Sequence, residues 1–236
     1  MLILALDTTT RAGSAALVRD GDVLAIVSGD PATTHAERLP GTLARMLHDR
    51  QQSMAAVDLF AVAAGPGSFT GLRIGIATIQ GLAFALGRPV VGVSALEALA
   101  EVGRDAVASA GVPFVAAWMD AQRSEVFAAL YPRERGARAV DGPVSEAPAS
   151  VLGRWHELTE GQPISVAGDG VARYHDLLVT RLGDRFRPVE PLPPLAPTIA
   201  RIAAREAAAG RTVAPHAIRP IYVRRPDAEL ARDRKR

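Results

Sequence analysis

Apolar runs and turn residues divide the chain into short elements. Leu2 to Leu6 is an apolar run and predicts a first strand; Ser14 to Val18 and Val23 to Val27 predict two more, joined by an Asp20-Gly21-Asp22 hairpin. Leu39, Leu43, Met46 and Leu47 then fall at helical spacing, i, i+4, i+7 and i+8. Pro40 and Gly41 lie near the start of this stripe and predict either a helix beginning at about residue 39 or a bend there. Leu59 to Ala64 is strand-like and runs into Gly65-Pro-Gly-Ser68, where Ser68 predicts the cap of a helix that reaches Leu86 and stops at Gly87. Pro89 to Val93 is another strand, and Ser94-Ala-Leu-Glu97 is a capping-box pattern opening a third helix. The first hundred or so residues read β-β-β-α-β-α-β-α.

The second half is less regular. Phe114 to Met119 and Val126 to Tyr131 predict strands around Asp120-Ala-Gln-Arg123, and 132–163 carries little pattern. Ile164 to Ala167 predicts a strand, turned by Gly168-Asp-Gly170 toward a helix ending near Leu182. Pro188 to Pro197 holds five prolines and is expected to be extended. Ile199 to Ala209 is an alanine-rich helix, and Pro220 to Arg224 is extended again. No solenoid-type repeat is present.

Composition narrows the function classes. The 236 residues are 48% hydrophobic and 22% charged, as in globular domains. There is no cysteine, hence no disulfide, thiolate metal site or cysteine nucleophile. The N-terminal run lacks a basic segment and ends at Asp7, unlike a signal peptide, and the stretch from Ile74 to Leu86 is too short to span a bilayer. A soluble, cytoplasmic protein with no membrane partner is expected. Residues 224–236 carry six basic and three acidic side chains; the whole chain is +2, so the preceding residues sum to −1. The body therefore shows no basic run of the kind a dedicated nucleic-acid binder displays.

Two features offer chemistry. Asp7-Thr8-Thr9-Thr10 follows the first strand, where a carboxylate with adjacent hydroxyls can hold a hydrated Mg²⁺ near a phosphate or simply close a polar turn. Gly65 and Gly67 precede a helix, an arrangement that suits an anion or a tight strand-to-helix turn. No lysine follows to make a Walker loop. The helix itself carries Gly71, Gly75 and Gly81, each unfavourable by about 1 kcal/mol relative to alanine. Close packing on the chain's own sheet, or on a helix of another chain, would compensate. The five histidines are scattered, and no metal-ligand pair or GxSxG motif occurs.

Taken in order, Ile3-Leu-Ala-Leu-Asp-Thr-Thr9, His35-Ala-Glu-Arg-Leu-Pro40, Gly65-Pro-Gly-Ser-Phe-Thr-Gly-Leu-Arg-Ile-Gly75, Gly92-Val-Ser-Ala-Leu-Glu97, Met119-Asp-Ala-Gln-Arg123 and Pro220-Ile-Tyr-Val-Arg224 resemble the TsaB family, also called YeaZ, over nearly the full chain. The resemblance implies an α/β fold of the actin-like, sugar-kinase–Hsp70-like ATPase (ASKHA) type. Two subdomains are expected, 1–104 and 105–223, each with a mixed sheet flanked by helices, then a charged tail, 224–236; the last helix is expected to pack back on the first subdomain. It further implies a non-catalytic subunit without a cofactor. That subunit binds and activates TsaD, the transferase that threonylcarbamoylates N6 of adenosine 37 in tRNAs reading codons that start with A, together with the ATPase TsaE. Contact with tRNA would be indirect. Where the transferases carry a metal-binding histidine pair, this chain has Ala95 and Leu99. The implied partner interface is the helix pair bearing Leu39, Leu43 and Leu47, and Leu72, Gly75, Ile76 and Ile79, a surface that could also pair with itself in a homodimer. A self-sufficient nucleotide-dependent enzyme using Asp7, Thr8, Thr9, Gly65 and Gly67 is the principal alternative, and a metallopeptidase a weaker one.

Overall fold

Ten strands and seven helices follow one another in the computed structural model, which describes residues 1–30, 32–107 and 111–224. In chain order they are β1 (Leu2–Asp7), β2 (Ser14–Arg19), β3 (Asp22–Ser28), α1 (His35–His48), β4 (Leu59–Gly65), α2 (Phe69–Leu86), β5 (Val90–Ser94) and α3 (Ala95–Ala106). There follow β6 (Phe114–Asp120), β7 (Val126–Pro132), β8 (Asp141–Glu146), α4 (Pro148–Leu158), β9 (Ile164–Ala167), α5 (Gly170–Arg173), α6 (His175–Leu182), β10 (Phe186–Pro188) and α7 (Ala196–Ala208). Two units are formed: Met1–Ala98 with Pro194–Ile221, and Leu99–Pro193 with the chain from Tyr222 onward. The expected tail from residue 224 lies, beyond Arg224, outside the described residues.

Each unit holds one five-stranded sheet, and the two sheets share a topology. The first has the order β3-β2-β1-β4-β5, the second β10-β9-β6-β7-β8. In each, the leading strand pairs antiparallel with the next, that one antiparallel with the third, and two parallel strands follow on the other side of the leading strand. Asp20 and Gly21 both have positive φ in the two-residue β2–β3 turn, as a type I′ hairpin requires.

The first sheet is covered on both faces. Leu2, Leu4 and Leu6 alternate onto one face and join Leu43, Phe60, Ile76 and Ile79 in a single cluster. The alternate residues build a flatter surface. Ala16, Ala5 and Ala61 stand opposite one another across β2, β1 and β4, all fully buried. This alanine row leaves room for α7, which packs on β1, β2, β4 and β5. The Ala196 N–H donates to Ser14 Oγ at 3.1 Å, and the Ile221 N–H donates to the Ala64 carbonyl at 2.7 Å.

Two helices begin earlier than the sequence pattern indicates. α1 starts at His35 because Thr34 and Glu37 form a reciprocal capping box, and Pro40 lies inside it. α7 starts at Ala196, with Pro197 in its first turn. β8 and α4 occupy the segment with little pattern. There Trp155 packs edge-on against Trp118, ring centroids 5.4 Å apart, and donates from Nε1 to Asp141 at 2.7 Å. α2 spans 18 residues, more than the run from Ile74, and by length and composition alone could cross a membrane; its Leu72, Ile76, Ile79 and Ala83 are instead buried on the sheet.

Candidate functional site

The loop after β1 and the loop before α2 meet in the first unit. Asp7 is buried, and its Oδ1 accepts from the Thr9 N–H at 2.9 Å and the Thr9 hydroxyl at 2.6 Å. Burial pushes its carboxyl above the usual range, against the opposing pull of those two hydrogen bonds and the nearby His35. The Ser68 N–H donates to the Thr9 carbonyl at 2.8 Å, and Ser68 Oγ caps α2 by accepting from the Gly71 N–H at 3.2 Å. Asp7, Thr8, Thr9, Gly65 and Gly67 are thus brought together.

What the glycines accommodate is the chain itself. A β-carbon on Gly67 would come within 2.6 Å of Thr9, and one on Gly71 within 2.1 Å of the Thr8 carbonyl. At Gly65, φ is +123° and a β-carbon would meet the Ile221 carbonyl at 2.5 Å. The loop is filled by Thr8, Thr9 and the C-terminal segment, and the Asp7 oxygen that faces Thr9 is already engaged. Among the described residues no group of three or more His, Asp or Glu side chains is placed to hold a metal. Ala95 and Leu99 are buried apolar positions on α3.

A clasp at the start of α1 was missed in the sequence. Arg38 donates to the carbonyls of Arg11, Ala12 and Asp30, tying the β1–β2 and β3–α1 loops together. It also donates to His35 Nδ1 at 2.7 Å. A guanidinium can only donate, so Nδ1 is the acceptor and Nε2 carries the proton, which it gives to the Thr10 carbonyl at 2.8 Å. Burial first, and the Arg38 charge after it, hold the His35 pKa below its ordinary value. His35 is therefore a neutral strut. The signal available was Thr34-x-x-Glu37, which places both side chains in the first turn of α1.

The residues expected at the partner interface lie on the inward faces of α1 and α2. Leu39, Leu43, Leu47, Leu72, Ile76 and Ile79 are all buried in the first unit's own core. Gly75 is buried as well, and Thr8 is the reason: a β-carbon there would lie 2.1 Å from Thr8 Oγ1. Apolar periodicity identifies the face of each helix that the sheet takes. The outward faces are formed by Pro40, Gly41 and Ala44 on α1 and by Ala77, Gly81, Phe84 and Ala85 on α2. α1 and α2 pack against each other. Phe84 is 76% exposed, the highest value among the large apolar side chains of the described residues. Around Gly41 and Gly81 an added β-carbon would meet nothing within 4 Å.

The repeated strand order of its two mixed sheets gives the chain a fold of the actin-like, sugar-kinase–Hsp70-like class. A polyphosphate/ATP-glucomannokinase from Arthrobacter shares that fold at a TM-score of 0.52 and 17% identity, over 88% of this chain and 99% of the kinase. A family model described as TsaD, tRNA N6-adenosine threonylcarbamoyltransferase, matches residues 26–176. The tRNA threonylcarbamoyladenosine biosynthesis protein TsaB of Escherichia coli is 36% identical, with 95% of each chain covered. The structure of YeaZ from Pseudomonas aeruginosa superposes at a TM-score of 0.75, with 34% identity over 94% of this chain and 99% of that one. The chain belongs to the TsaB (YeaZ) family.

Proposed function

We propose that this chain is a non-catalytic subunit that binds the threonylcarbamoyltransferase TsaD through the outward faces of α1 and α2. In that complex it supports transfer of the threonylcarbamoyl group to N6 of adenosine 37 in tRNAs that read codons starting with A. The observation that carries this reading is Gly81. A glycine inside a helix is unfavourable by about 1 kcal/mol relative to alanine, and the open space around Gly81 gives it no role within its own unit. Close approach of another helix supplies one. Gly41, Ala44 and Ala77 provide the same clearance, and Phe84 an apolar anchor. Family membership indicates what that helix belongs to, since the E. coli relative is named for threonylcarbamoyladenosine biosynthesis.

Binding raises transfer only if the contact is stronger in the transfer-competent state of TsaD than in its other states. The ATPase TsaE joins the same assembly, tRNA is met through TsaD, and without TsaD the helix face pairs with a second copy. The work is cytoplasmic, where tRNA is modified. An omission assay tests the reading. TsaD, TsaE, the enzyme that makes the threonylcarbamoyl-adenylate, its substrates and tRNA are combined with and without this protein, and modified adenosine is measured. Modification should require the protein, and the protein alone should neither modify tRNA nor hydrolyse ATP. Equal modification without it refutes the role.

A further inference from the structure

After α7 the chain turns back and runs beside α2. Val90 and Val213 exchange main-chain hydrogen bonds of 3.0 and 2.9 Å shortly after the end of α2. Gln80 Nε2, on α2, donates to the Pro215 carbonyl at 3.0 Å. Ile218 is buried in the unit's core beside Gly92, where a β-carbon would meet it at 3.2 Å. The Ile221 N–H then reaches the Ala64 carbonyl, shortly before α2 begins. Residues 211–221 thus form a strap that passes α2 from its end to its start.

The strap and the adjoining side of α2 expose apolar surface. Phe84 stands one turn beyond Gln80 on the same side of the helix, the flank along which the strap lies. Val213 is exposed where the strap begins. Charge on this surface has one sign. Neither 69–96 nor 207–221 contains an aspartate or a glutamate. Arg219 is exposed, and among the described residues its guanidinium meets only the main-chain carbonyls of His216 and Ile218. Arg88 likewise donates to a carbonyl, that of Ala55. Such bonds satisfy a guanidinium's donors and leave its charge in place.

We propose that the partner face of α2 continues onto this strap, with Phe84 and Val213 as its apolar centre and Arg219 as its rim, and that the surface of TsaD seated there carries carboxylates. The inference rests on the proposed function and states the chemistry which that function requires of the partner. Gly81 and Phe84 lie three residues apart on one helix, so a partner helix close to Gly81 is already beside Phe84 and the strap. An apolar centre next to an unneutralised guanidinium matches an apolar surface rimmed by acidic side chains. A second copy, which takes the helix face when TsaD is absent, brings the same carboxylate-free surface and leaves this rim unmatched. The strap thereby favours the heterologous partner over self-pairing.

Calorimetric binding of purified TsaD to wild type, Arg219→Glu, Arg219→Lys, Val213→Ser and Gly81→Leu tests it, with thermal unfolding of each variant and self-association of the wild type at low and high salt. Arg219→Glu should bind TsaD at least about tenfold more weakly at an unchanged melting temperature, and Arg219→Lys should restore most of the affinity. Added salt should weaken the TsaD complex and leave self-association unchanged or stronger. Normal TsaD binding by Arg219→Glu, with binding lost in Gly81→Leu, overturns the inference and leaves the proposed function standing. Tighter binding by Arg219→Glu also overturns it, since the facing surface would then be cationic. Should Arg219→Glu melt lower than wild type, Val213→Ser decides: a loss of at least about threefold supports the strap as partner surface, and unchanged affinity refutes it. Failure of the wild-type chain to bind TsaD removes the proposed function and this inference with it.

Discussion

The hydroxyl of Thr8 occupies the place a β-carbon on Gly75 would need, the two being 2.1 Å apart. That oxygen is buried and makes no hydrogen bond, so its contact with Gly75 is one of shape alone. Gly75→Ala should therefore destabilise the protein by about 1–3 kcal/mol, measured by denaturant unfolding. In a Thr8→Ala background the loss should shrink by at least about 0.5 kcal/mol, the mark of directly interacting residues. Thr8→Val, which keeps the shape and removes an unsatisfied hydroxyl, should be neutral or stabilising.

The outward and inward faces of α2 should respond oppositely. Gly81→Leu enters open space and should leave stability within about 0.5 kcal/mol of wild type, while weakening TsaD binding at least about tenfold by calorimetry. Gly75→Leu and Ile76→Glu, which the apolar stripe alone would nominate, should instead damage the fold. A Gly81→Leu protein that binds TsaD normally would remove the α2 face from the interface.

Asp7 should lower stability at neutral pH. Its folded-state pKa lies above the ordinary 3.8 because of burial. The contribution present below pH 3.8 is thus lost as pH rises through the raised value. Both Thr9 donors use Oδ1, so an asparagine can keep them. Asp7→Asn should melt higher than wild type at pH 7, with the advantage fading toward pH 3. A lower melting temperature at pH 7 would mean that the charge is favoured where it lies.

His35 should produce the opposite slope on the acid side. Its folded-state pKa lies below 6.5. Stability is therefore complete above pH 6.5 and declines as pH falls from there toward the lowered value. Protonation removes the Nδ1 acceptor and places a second cation beside Arg38, with the Asp7 carboxyl as the opposing charge. His35→Gln should flatten the melting curve between pH 5 and 7. An unchanged slope in that variant would assign the effect to another group.

The succession of elements in the first unit and the cap of α2 were legible because β1 to β5 alternate or run apolar between clear turns, and Ser68 and Gly87 mark both ends of a helix. β8 and α4 were not. Asp141-Gly-Pro-Val-Ser-Glu146 carries a single apolar side chain besides its proline, and Ala147 gives α4 no side-chain cap. Pro148 at the first turn, followed by Val151, Leu152 and Trp155, was the available signal. The proposed partner face differs from the expected one for a physical reason. Periodicity reports what a helix buries, and on α1 and α2 that is the sheet. The role of Gly75 could not be read locally, since Thr8 lies far away along the chain.

The alanine row across β2, β1 and β4 waits for α7, which follows those strands only after the whole of Leu99–Pro193. During synthesis these strands keep one apolar face uncovered while that stretch is made. All five strands of the second sheet therefore precede, along the chain, the helix that covers the first. A message cut short before Pro194 would yield a protein whose first sheet is open on one side, a natural target for chaperones and proteases.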